Sequence, residues 1–255
     1  MRSLAVLGNL SRDVVDGGPP RAGGAPYYAA QALRVIGFPA RIATKCAPAD
    51  RGLVRQLAAL GVPVSWRPAA STAGFTFSYE DGDRRMVVDE LGEPWTPREA
   101  REAGRAAWVH VAPLARTDFP AETVAALARG ARVSFDGQGL VRPGRTGPLE
   151  LDADFDPELL RHVRVLKLAE EEAEVVGDVT ALGVPEVVVT LGARGSLVWW
   201  RGELERVPAQ PARQVRDPTG AGDAFAVVYL TARALGYQPA AAARRASQVV
   251  ASILR

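Results

Sequence analysis

The feature that most constrains the fold is an alternation of short apolar runs with segments of helical periodicity. The runs are rich in Val, Ile, Ala and Leu, which is typical of strands buried on both faces. They lie at 3–7, 40–44, 62–66, 107–111, 131–136, 163–167 and 186–190. Helical patterns separate several of them, at 27–36, 49–60, 121–129 and 169–176. The alternation predicts a doubly wound α/β fold, in which helices flank a mainly parallel sheet.

Composition narrows the class of protein further. The 255 residues, 47% of them hydrophobic, can form one sizeable core, so a single domain over residues 1–255 is expected. Lys and Arg number 31 against 29 Asp and Glu, which gives no indication of a nucleic-acid or membrane partner. Cys46 stands alone, and His110 and His162 are far apart, which argues against disulfides and zinc. Without a signal peptide pattern, a cytoplasmic location is expected.

One segment departs from the alternation of strands and helices. Residues 72–80 and 84–90 flank an Asp-Gly turn and alternate in polarity, which predicts a β-hairpin. Because no helix separates its strands, we expect this hairpin outside the parallel sheet, as a lid over a site. An antiparallel edge of the main sheet is nearly as well supported. Residues 16–24 are dense in Gly and Pro and are predicted to form a loop.

The stretch D-P-T-G-A-G-D-A-F at 217–225 combines small residues with two aspartates and opens a helical segment. The backbone N–H groups of Gly220, Ala221 and Gly222 can approach a ligand closely, and a helix N-terminus binds anions such as phosphate. Asp223 would repel that phosphate unless it acts as a general base on an attacking hydroxyl. Helix capping by Asp223 is the alternative that spacing leaves open. Neither a P-loop nor a dinucleotide glycine motif is present.

This stretch resembles the signature of the ribokinase (phosphofructokinase B) family of small-molecule kinases. G-N-L-S-R-D at 8–13, the glycine pair at 23–24, K-L-A-E-E-E-A at 167–173 and V-T-L-G-A-R-G-S at 189–196 are similar to further motifs of that family. The resemblance implies an ATP- and Mg²⁺-dependent kinase with lid strands from about 10–16 and 72–90, acting as a monomer or as a homodimer through the lid. It leaves open a requirement for a monovalent cation such as K⁺.

The resemblance also implies roles for individual residues. Asp223 would be the base, and Gly220, Ala221 and Gly222 would form the anion hole. Residues implied in substrate binding are Asp13, Gly23, Gly24, Tyr28, Arg142 and Asp217. Residues implied in binding the phosphate donor are Lys167, Thr190, Gly192, Gly195 and Thr219. Glu172 would act on Mg²⁺ through water.

Three positions depart from the family pattern: Tyr28 and Ala169 replace its usual asparagines, and Val228 replaces a small residue. The segments G-G-A-P-Y-Y-A-A and F-D-G-Q-G-L-V-R most resemble the myo-inositol kinase branch, which implies a cyclitol, polyol or sugar acceptor. A nucleoside kinase and a non-catalytic ligand-binding homologue are the alternatives. Arg142 as a solvated loop residue and Asp136 as a turn former are about as well supported as roles in a site.

Overall fold

The predicted alternation is present in the structure, a computed structural model that describes residues 3–80, 83–211 and 219–253. The strands are β1 Leu4–Asn9, β2 Ser11–Val15, β3 Arg21–Gly23, β4 Ala40–Cys46, β5 Val64–Pro68, β6 Ala73–Glu80, β7 Asp83–Glu90, β8 Trp108–Val111, β9 Arg132–Asp136, β10 Gly147–Pro148, β11 Val165–Ala169, β12 Glu186–Thr190, β13 Ser196–Trp200 and β14 Glu203–Val207. The helices are α1 Ala25–Ile36, α2 Arg51–Ala58, α3 Pro97–Ala103, α4 Ala121–Ala128, α5 Gln138–Val141, α6 Glu170–Val176, α7 Ala221–Ala234 and α8 Pro239–Ile253.

Within the described residues, the main sheet has nine strands in the order β14-β13-β12-β11-β9-β8-β1-β4-β5. The seven strands from β12 to β5 run parallel, and each of the seven apolar runs of the sequence contributes one of them. The expected doubly wound fold is therefore confirmed. Strands β13 and β14, which the sequence pattern did not predict, extend the sheet in antiparallel fashion.

Both faces of the main sheet are buried, which explains why its strands read as continuous apolar runs. In β1, Leu4 and Val6 pack toward α1, α2, α7 and α8, whereas Ala5 and Leu7 pack toward α3 and α4. Two hydrophobic cores thus lie on opposite faces of one sheet. Among the described helices, none combines the length and the hydropathy that crossing a bilayer requires.

A second sheet of five strands, in the order β10-β7-β6-β2-β3, lies apart from the main one and is called the lid here. The predicted hairpin supplies β6 and β7, and its Asp-Gly turn falls outside the described residues. The prediction that residues 16–24 form only a loop is wrong, because Arg21–Gly23 form β3 and pair with β2. Antiparallel pairing with β2, a few residues earlier in the chain, overrides the local preference of Gly and Pro for turns in this short segment.

Buried polar residues fasten the returning chain of the lid to the main sheet. Lys45, at the end of β4, donates to the carbonyl of Pro94 and to the carboxylate of Glu99, both at 2.9 Å. Asn9, at the end of β1, accepts a 2.9 Å hydrogen bond from the indole of Trp95. A buried charge such as that of Lys45 is tolerated only when it is paired, so these bonds are costly to break. They hold the segment that follows β7, and with it the end of the lid, at the carboxyl ends of the central strands.

The order in which successive strands are added to the main sheet reverses next to β1. From β1 the sheet grows through β4 to β5 on one side and through β8 to β12 on the other, so that β1 and β8 are neighbours at a topological switch point. In open α/β sheets, ligands bind in the crevice outside the carboxyl ends of the strands at such a point. A ligand site is therefore expected in the crevice between the lid and the carboxyl ends of β1, β8 and β9.

Candidate active site

Helix α7 begins in this crevice. Its N-cap is Gly220, in the left-handed conformation with a φ of 76°, and no side chain of the described residues caps it. Asp223 lies in the first helical turn rather than at the cap, so helix capping does not explain it. The N–H groups of the first turn have no partner within any helix, and they give this end a partial positive charge.

The three small residues of the loop leave room that side chains of other elements fill. A Cβ atom on Gly220 would lie 2.1 Å from the ring of Tyr28, and one on Gly222 would lie 3.1 Å from Nζ of Lys167. Gly220 must therefore be glycine, both for its φ and for the close approach of Tyr28. The same absence of a side chain places the ammonium of Lys167 against the backbone of the predicted anion hole.

Two cavities meet at the start of α7. The first has a volume of about 120 Å³ and is bordered by Gly220 and Asp223 on the α7 side and by lid residues on the other. The second has a volume of about 590 Å³ and is bordered by Ala221 and Gly222. The helix N-terminus thus separates a small cavity under the lid from a larger cavity beside α8. We call them the lid cavity and the outer cavity.

Asp223 borders the lid cavity in an unusual electrostatic environment. Burial and, after it, the neighbouring Asp136 raise the pKa of Asp223 to about 7, although Lys167 opposes the rise. Lys167 forms an ion pair of 3.3 Å with Asp136. Burial alone would lower the pKa of Lys167, but the carboxylates around it, Asp136 first among them, outweigh burial and raise that pKa. An acid that ionises near neutral pH thus stands beside a permanent cation.

Asp136 forms the turn that the sequence allowed, and it borders neither cavity but pairs with the cation near the loop. It is fully buried at the end of β9, where one carboxylate oxygen accepts a 3.2 Å hydrogen bond from the backbone N–H of Gln138. Its other carboxylate oxygen faces Lys167. Asp136 therefore shapes the turn into α5 and also holds the cation beneath the loop.

Asp13 reaches the lid cavity from β2. It accepts a 2.7 Å hydrogen bond from the hydroxyl of Ser11, and both residues border the cavity. Its carboxylate lies directly over Gly23, where a Cβ atom would be 1.9 Å from Oδ2. Gly24 also borders the cavity, with a φ of 88°. The missing side chain of Gly23 thus gives the carboxylate of Asp13 its space beside the cavity.

The structure places the other predicted substrate residues as follows. Tyr28 and Arg142 border the lid cavity, so Arg142 is not merely a solvated loop residue. Asp217 lies outside the described residues. Thr219, predicted on the donor side, borders the lid cavity instead. Sequence reasoning missed further residues of this cavity, namely Phe75, Phe77, Met86, Leu114 and Gln138.

The predicted donor residues Thr190, Gly192 and Gly195 border the outer cavity. Gly195 has a φ of 99°, and a Cβ atom there would lie 2.1 Å from the carbonyl oxygen of Val207. Lys167, also predicted on the donor side, borders neither cavity, and its ammonium lies against the backbone of Gly222. The outer cavity has further walls that the sequence did not indicate, namely Ala193, Ala209, Gln210, Pro211, Phe225, Ser247, Val250 and Ala251.

Glu172, the predicted contact to Mg²⁺, is buried at the start of α6. One of its oxygens accepts a 2.7 Å hydrogen bond from the backbone N–H of Ala169, and burial raises the pKa of this carboxyl while Lys167 opposes the rise. Within the described part of the chain, no three acidic, histidine or cysteine side chains converge as a metal site. Mg²⁺ keeps several waters and is commonly held by one or two carboxylates together with the phosphates of a substrate, so Glu172 remains the predicted carboxylate for it.

His110 lies away from both cavities, in the buried middle of β8. Its Nδ1 is 3.3 Å from the hydroxyl of Ser134, and burial lowers the pKa of the ring to about 4. The imidazole is therefore neutral at physiological pH, as expected for a structural histidine.

The architecture is shared with solved structures of kinases. A pyrophosphate-dependent kinase of the ribokinase family, complexed with a pyrophosphate analog and myo-inositol, superimposes with a TM-score of 0.86 at 22% identity and covers 99% of this chain and 95% of its own. The nucleoside kinase of Burkholderia thailandensis, complexed with inosine, gives 0.76 at 24% identity and covers 97% and 89%. At these identities the likeness establishes the fold alone.

Relatives at the level of sequence point the same way. The chain is 40% identical to inositol 3-kinase of Oryza sativa subsp. japonica over 113 residues, or 41% of this chain and 28% of that protein. It is 28% identical to a nucleoside kinase of Methanocaldococcus jannaschii over 112 residues, or 41% and 35%. The matched segments thus span about a third of these relatives. The model of the pfkB family carbohydrate kinases matches residues 21–254. This chain belongs to the pfkB family of carbohydrate kinases.

Proposed function

We propose that this protein transfers the γ-phosphoryl group of ATP to a hydroxyl of a cyclitol, polyol or sugar, and that myo-inositol is the favoured acceptor. One observation carries the proposal: the N-terminus of α7 stands between two cavities, with Asp223 on one and Gly222 on the other. Transfer between two bound molecules needs this arrangement, because the acceptor oxygen must meet the phosphoryl group at the boundary of their sites.

In this mechanism Asp223 accepts the proton of the acceptor hydroxyl as the oxygen attacks. A pKa of about 7 suits that task, since a base is most effective when its pKa is near the working pH. The N–H groups of Gly220, Ala221 and Gly222 bind the oxygens of the migrating phosphoryl group. Loss of one such donor raises a reaction barrier by about 2.7–4 kcal/mol in known enzymes. Positioned bases contribute roughly 10²–10⁴-fold.

Lys167 supplies fixed positive charge at the same point. Its ammonium lies against the backbone of Gly222, and its pKa is raised, so it stays protonated while the phosphoryl group moves. Asp136 holds it in place at 3.3 Å. Mg²⁺, when bound to the phosphates, would neutralise further charge, and Glu172, which is buried near Lys167 and borders neither cavity, would act on it through water.

The walls of the outer cavity support ATP rather than pyrophosphate as the donor. Among its described lining residues none is charged, and Phe225, Val250 and Pro211 give it apolar surface suited to a nucleobase. Pyrophosphate would leave this apolar space empty, whereas the nucleoside part of ATP would fill it. The glycine turn at Gly192 and Gly195 would follow the phosphates toward α7.

The size of the lid cavity supports a small acceptor. At about 120 Å³ it has roughly one fifth of the volume of the outer cavity, at about 590 Å³, which suits a single ring better than a nucleoside. Its polar groups Asp13, Gln138 and Arg142 can bind neighbouring hydroxyls. The likeness to nucleoside kinases makes a nucleoside the second candidate for the acceptor.

An acceptor and donor panel tests the proposal. Purified protein with Mg²⁺, with and without K⁺, is incubated with ATP or pyrophosphate and with myo-inositol, ribose, inosine or adenosine, and phosphate esters are identified by ³¹P NMR. We expect an ester of myo-inositol with ATP as donor. Esters of inosine or adenosine alone would favour the nucleoside kinase, and esters formed only with pyrophosphate would overturn the donor assignment. Nucleotide binding without any ester would indicate a non-catalytic homologue.

A further inference from the structure

We propose that the inner face of the lid recognises the C–H face of a cyclic acceptor, with Phe77 and Met86 selecting rings over open-chain polyols. The inference rests on the proposed function, because it assigns the acceptor to the lid cavity. It goes further in naming which surface of the acceptor is recognised and which side chains recognise it.

The register of the lid strands divides its inner face into a polar and an apolar part. Asp13 of β2 is directly opposite Phe75 of β6, and Phe77 of β6 is opposite Met86 of β7. Successive residues of a strand point to opposite faces, so these side chains share one face. All four border the lid cavity. A carboxylate thus lies on β2, and a continuous apolar surface lies beside it on β6 and β7.

That apolar surface is itself well packed. The rings of Phe75 and Phe77 are stacked with centroids 6.3 Å apart and planes at 30°. Val88 and Leu114 join them in one buried cluster, against which Met86 packs. Because neighbouring side chains fix it, this wall is a preformed part of the site and not a loose cover.

Apart from Ser11 and Asp13 on β2, the polar groups of the cavity lie outside the lid. Gln138 and Arg142 come from α5 and the residue after it, and Asp223 comes from α7, on the side of the main sheet. An acceptor in the cavity therefore meets hydrogen-bonding groups from β2 and from the side of the main sheet, and it meets hydrocarbon where it faces β6 and β7. A hydroxyl turned toward Phe77 or Met86 would lose its bond to water without replacement, which costs binding energy.

A cyclitol with mainly equatorial hydroxyls satisfies this division. Its hydroxyls project around the rim of the ring, and its axial C–H groups form an apolar face that can lie on aromatic and thioether side chains. An open-chain polyol has no such face, because each of its conformations directs some hydroxyls to every side. Seating the ring on the lid also fixes its rotation, so the wall helps to decide which hydroxyl meets Asp223.

Substitutions at Met86 test the inference with little change of volume. Met86→Gln places a polar group of similar shape against the ring, Met86→Leu keeps the wall apolar, and Val87→Gln puts the same amide on the opposite face of β7. Isothermal titration calorimetry would measure the affinity of each for myo-inositol and for the open-chain hexitol sorbitol. NMR would identify the hydroxyl that is phosphorylated.

We expect wild type, Met86→Leu and Val87→Gln to bind myo-inositol at least tenfold more tightly than sorbitol. We expect Met86→Gln to lose tenfold or more in affinity for myo-inositol, so that its affinities for myo-inositol and sorbitol become more nearly equal. Equal affinities of Met86→Gln and Met86→Leu for myo-inositol, or equal binding of ring and hexitol by wild type, would overturn the inference.

The two proposals fail in different ways. Selective binding of the ring without phosphorylation would sustain the lid inference and contradict the kinase mechanism. Equal binding and phosphorylation of ring and hexitol would sustain the kinase mechanism and contradict the lid inference. Absence of any binding of myo-inositol at millimolar concentration would contradict the lid inference and the choice of myo-inositol as the favoured acceptor.

Discussion

Gly23→Ala is expected to lower kcat/KM for the acceptor by displacing the side chain of Asp13. The added Cβ atom would lie 1.9 Å from Oδ2 of Asp13 and 2.3 Å from its Cγ, whereas Cβ atoms in proteins keep at least 3.0 Å. The carboxylate must therefore move by about 1 Å or more, a displacement that can cost 10²-fold in rate. Gly23 has no positive φ, so alanine does not strain the backbone itself.

The expected magnitude follows from the hydrogen bonds that Asp13 would make. Each bond to a charged group contributes about 1.5–3 kcal/mol, and about 1.4 kcal/mol corresponds to a factor of ten. Loss of one such bond predicts a roughly 10- to 100-fold fall in kcat/KM for the acceptor. The KM for the donor should change little, because Gly23 is remote from the outer cavity.

Steady-state kinetics at saturating donor measures this effect. Gly130→Ala is the matched control, since a Cβ atom there meets nothing within 4 Å and its φ is not positive. Thermal unfolding of both variants shows whether the domain stays folded. A Gly23→Ala protein whose kcat/KM for the acceptor stays within threefold of wild type would refute the placement of Asp13 in the acceptor site.

Three further predictions address the donor site, the base and the fold. Gly195→Ala should raise the KM for ATP tenfold or more and leave the KM for the acceptor unchanged. The added Cβ atom would lie 2.1 Å from the carbonyl oxygen of Val207, and the φ of 99° disfavours alanine. An unchanged KM for ATP would show that this turn does not contact the donor. Acceptor kcat/KM should fall about tenfold per unit as the pH drops below about 7, since burial raises the pKa of Asp223 and protonation removes the base; a flat profile down to pH 5 would contradict that assignment. Arg233→Met should lower the free energy of unfolding by about 3–5 kcal/mol, because it leaves the fully buried carboxylate of Glu186, 2.8 Å away, without its cation. The exposed pair Arg244 and Glu205 is the control, where Arg244→Met should cost about 1 kcal/mol or less in a denaturant titration.

The main sheet was predictable because its inner parallel strands are buried on both faces and appear in the sequence as apolar runs. The bounds shifted where burial is partial: the run at 62–66 became Val64–Pro68, an edge strand. Strands β13 and β14 escaped prediction because β14 is mostly exposed and carries charges, so that pairing with β12 and β13, not local pattern, defines them.

Some residues of the candidate site could likewise be identified from the sequence, and others could not. Residues in glycine-rich segments, such as Gly220 and Gly23, could be identified from sequence because a missing side chain is itself a signal. Phe77 and Met86 could not, since an apolar residue in a hairpin looks the same whether it covers a ligand or a core. Only the register of β6 and β7 and the position of the lid assign them to the cavity. Asp136 was ambiguous for a related reason: its ion pair with Lys167 joins two strands.

The ionised carboxylate of Asp223 is the central element of this account, and Asp223→Asn tests it most directly. The substitution keeps the shape of the side chain and removes its ability to accept a proton, so the variant should fold and bind ATP like wild type. Rapid-quench measurement of a single turnover, with acceptor and ATP bound, should give a rate of phosphoryl transfer lower by a factor of hundreds or more. A variant that transfers phosphate at the rate of the wild type would show that another group, or none, removes the proton.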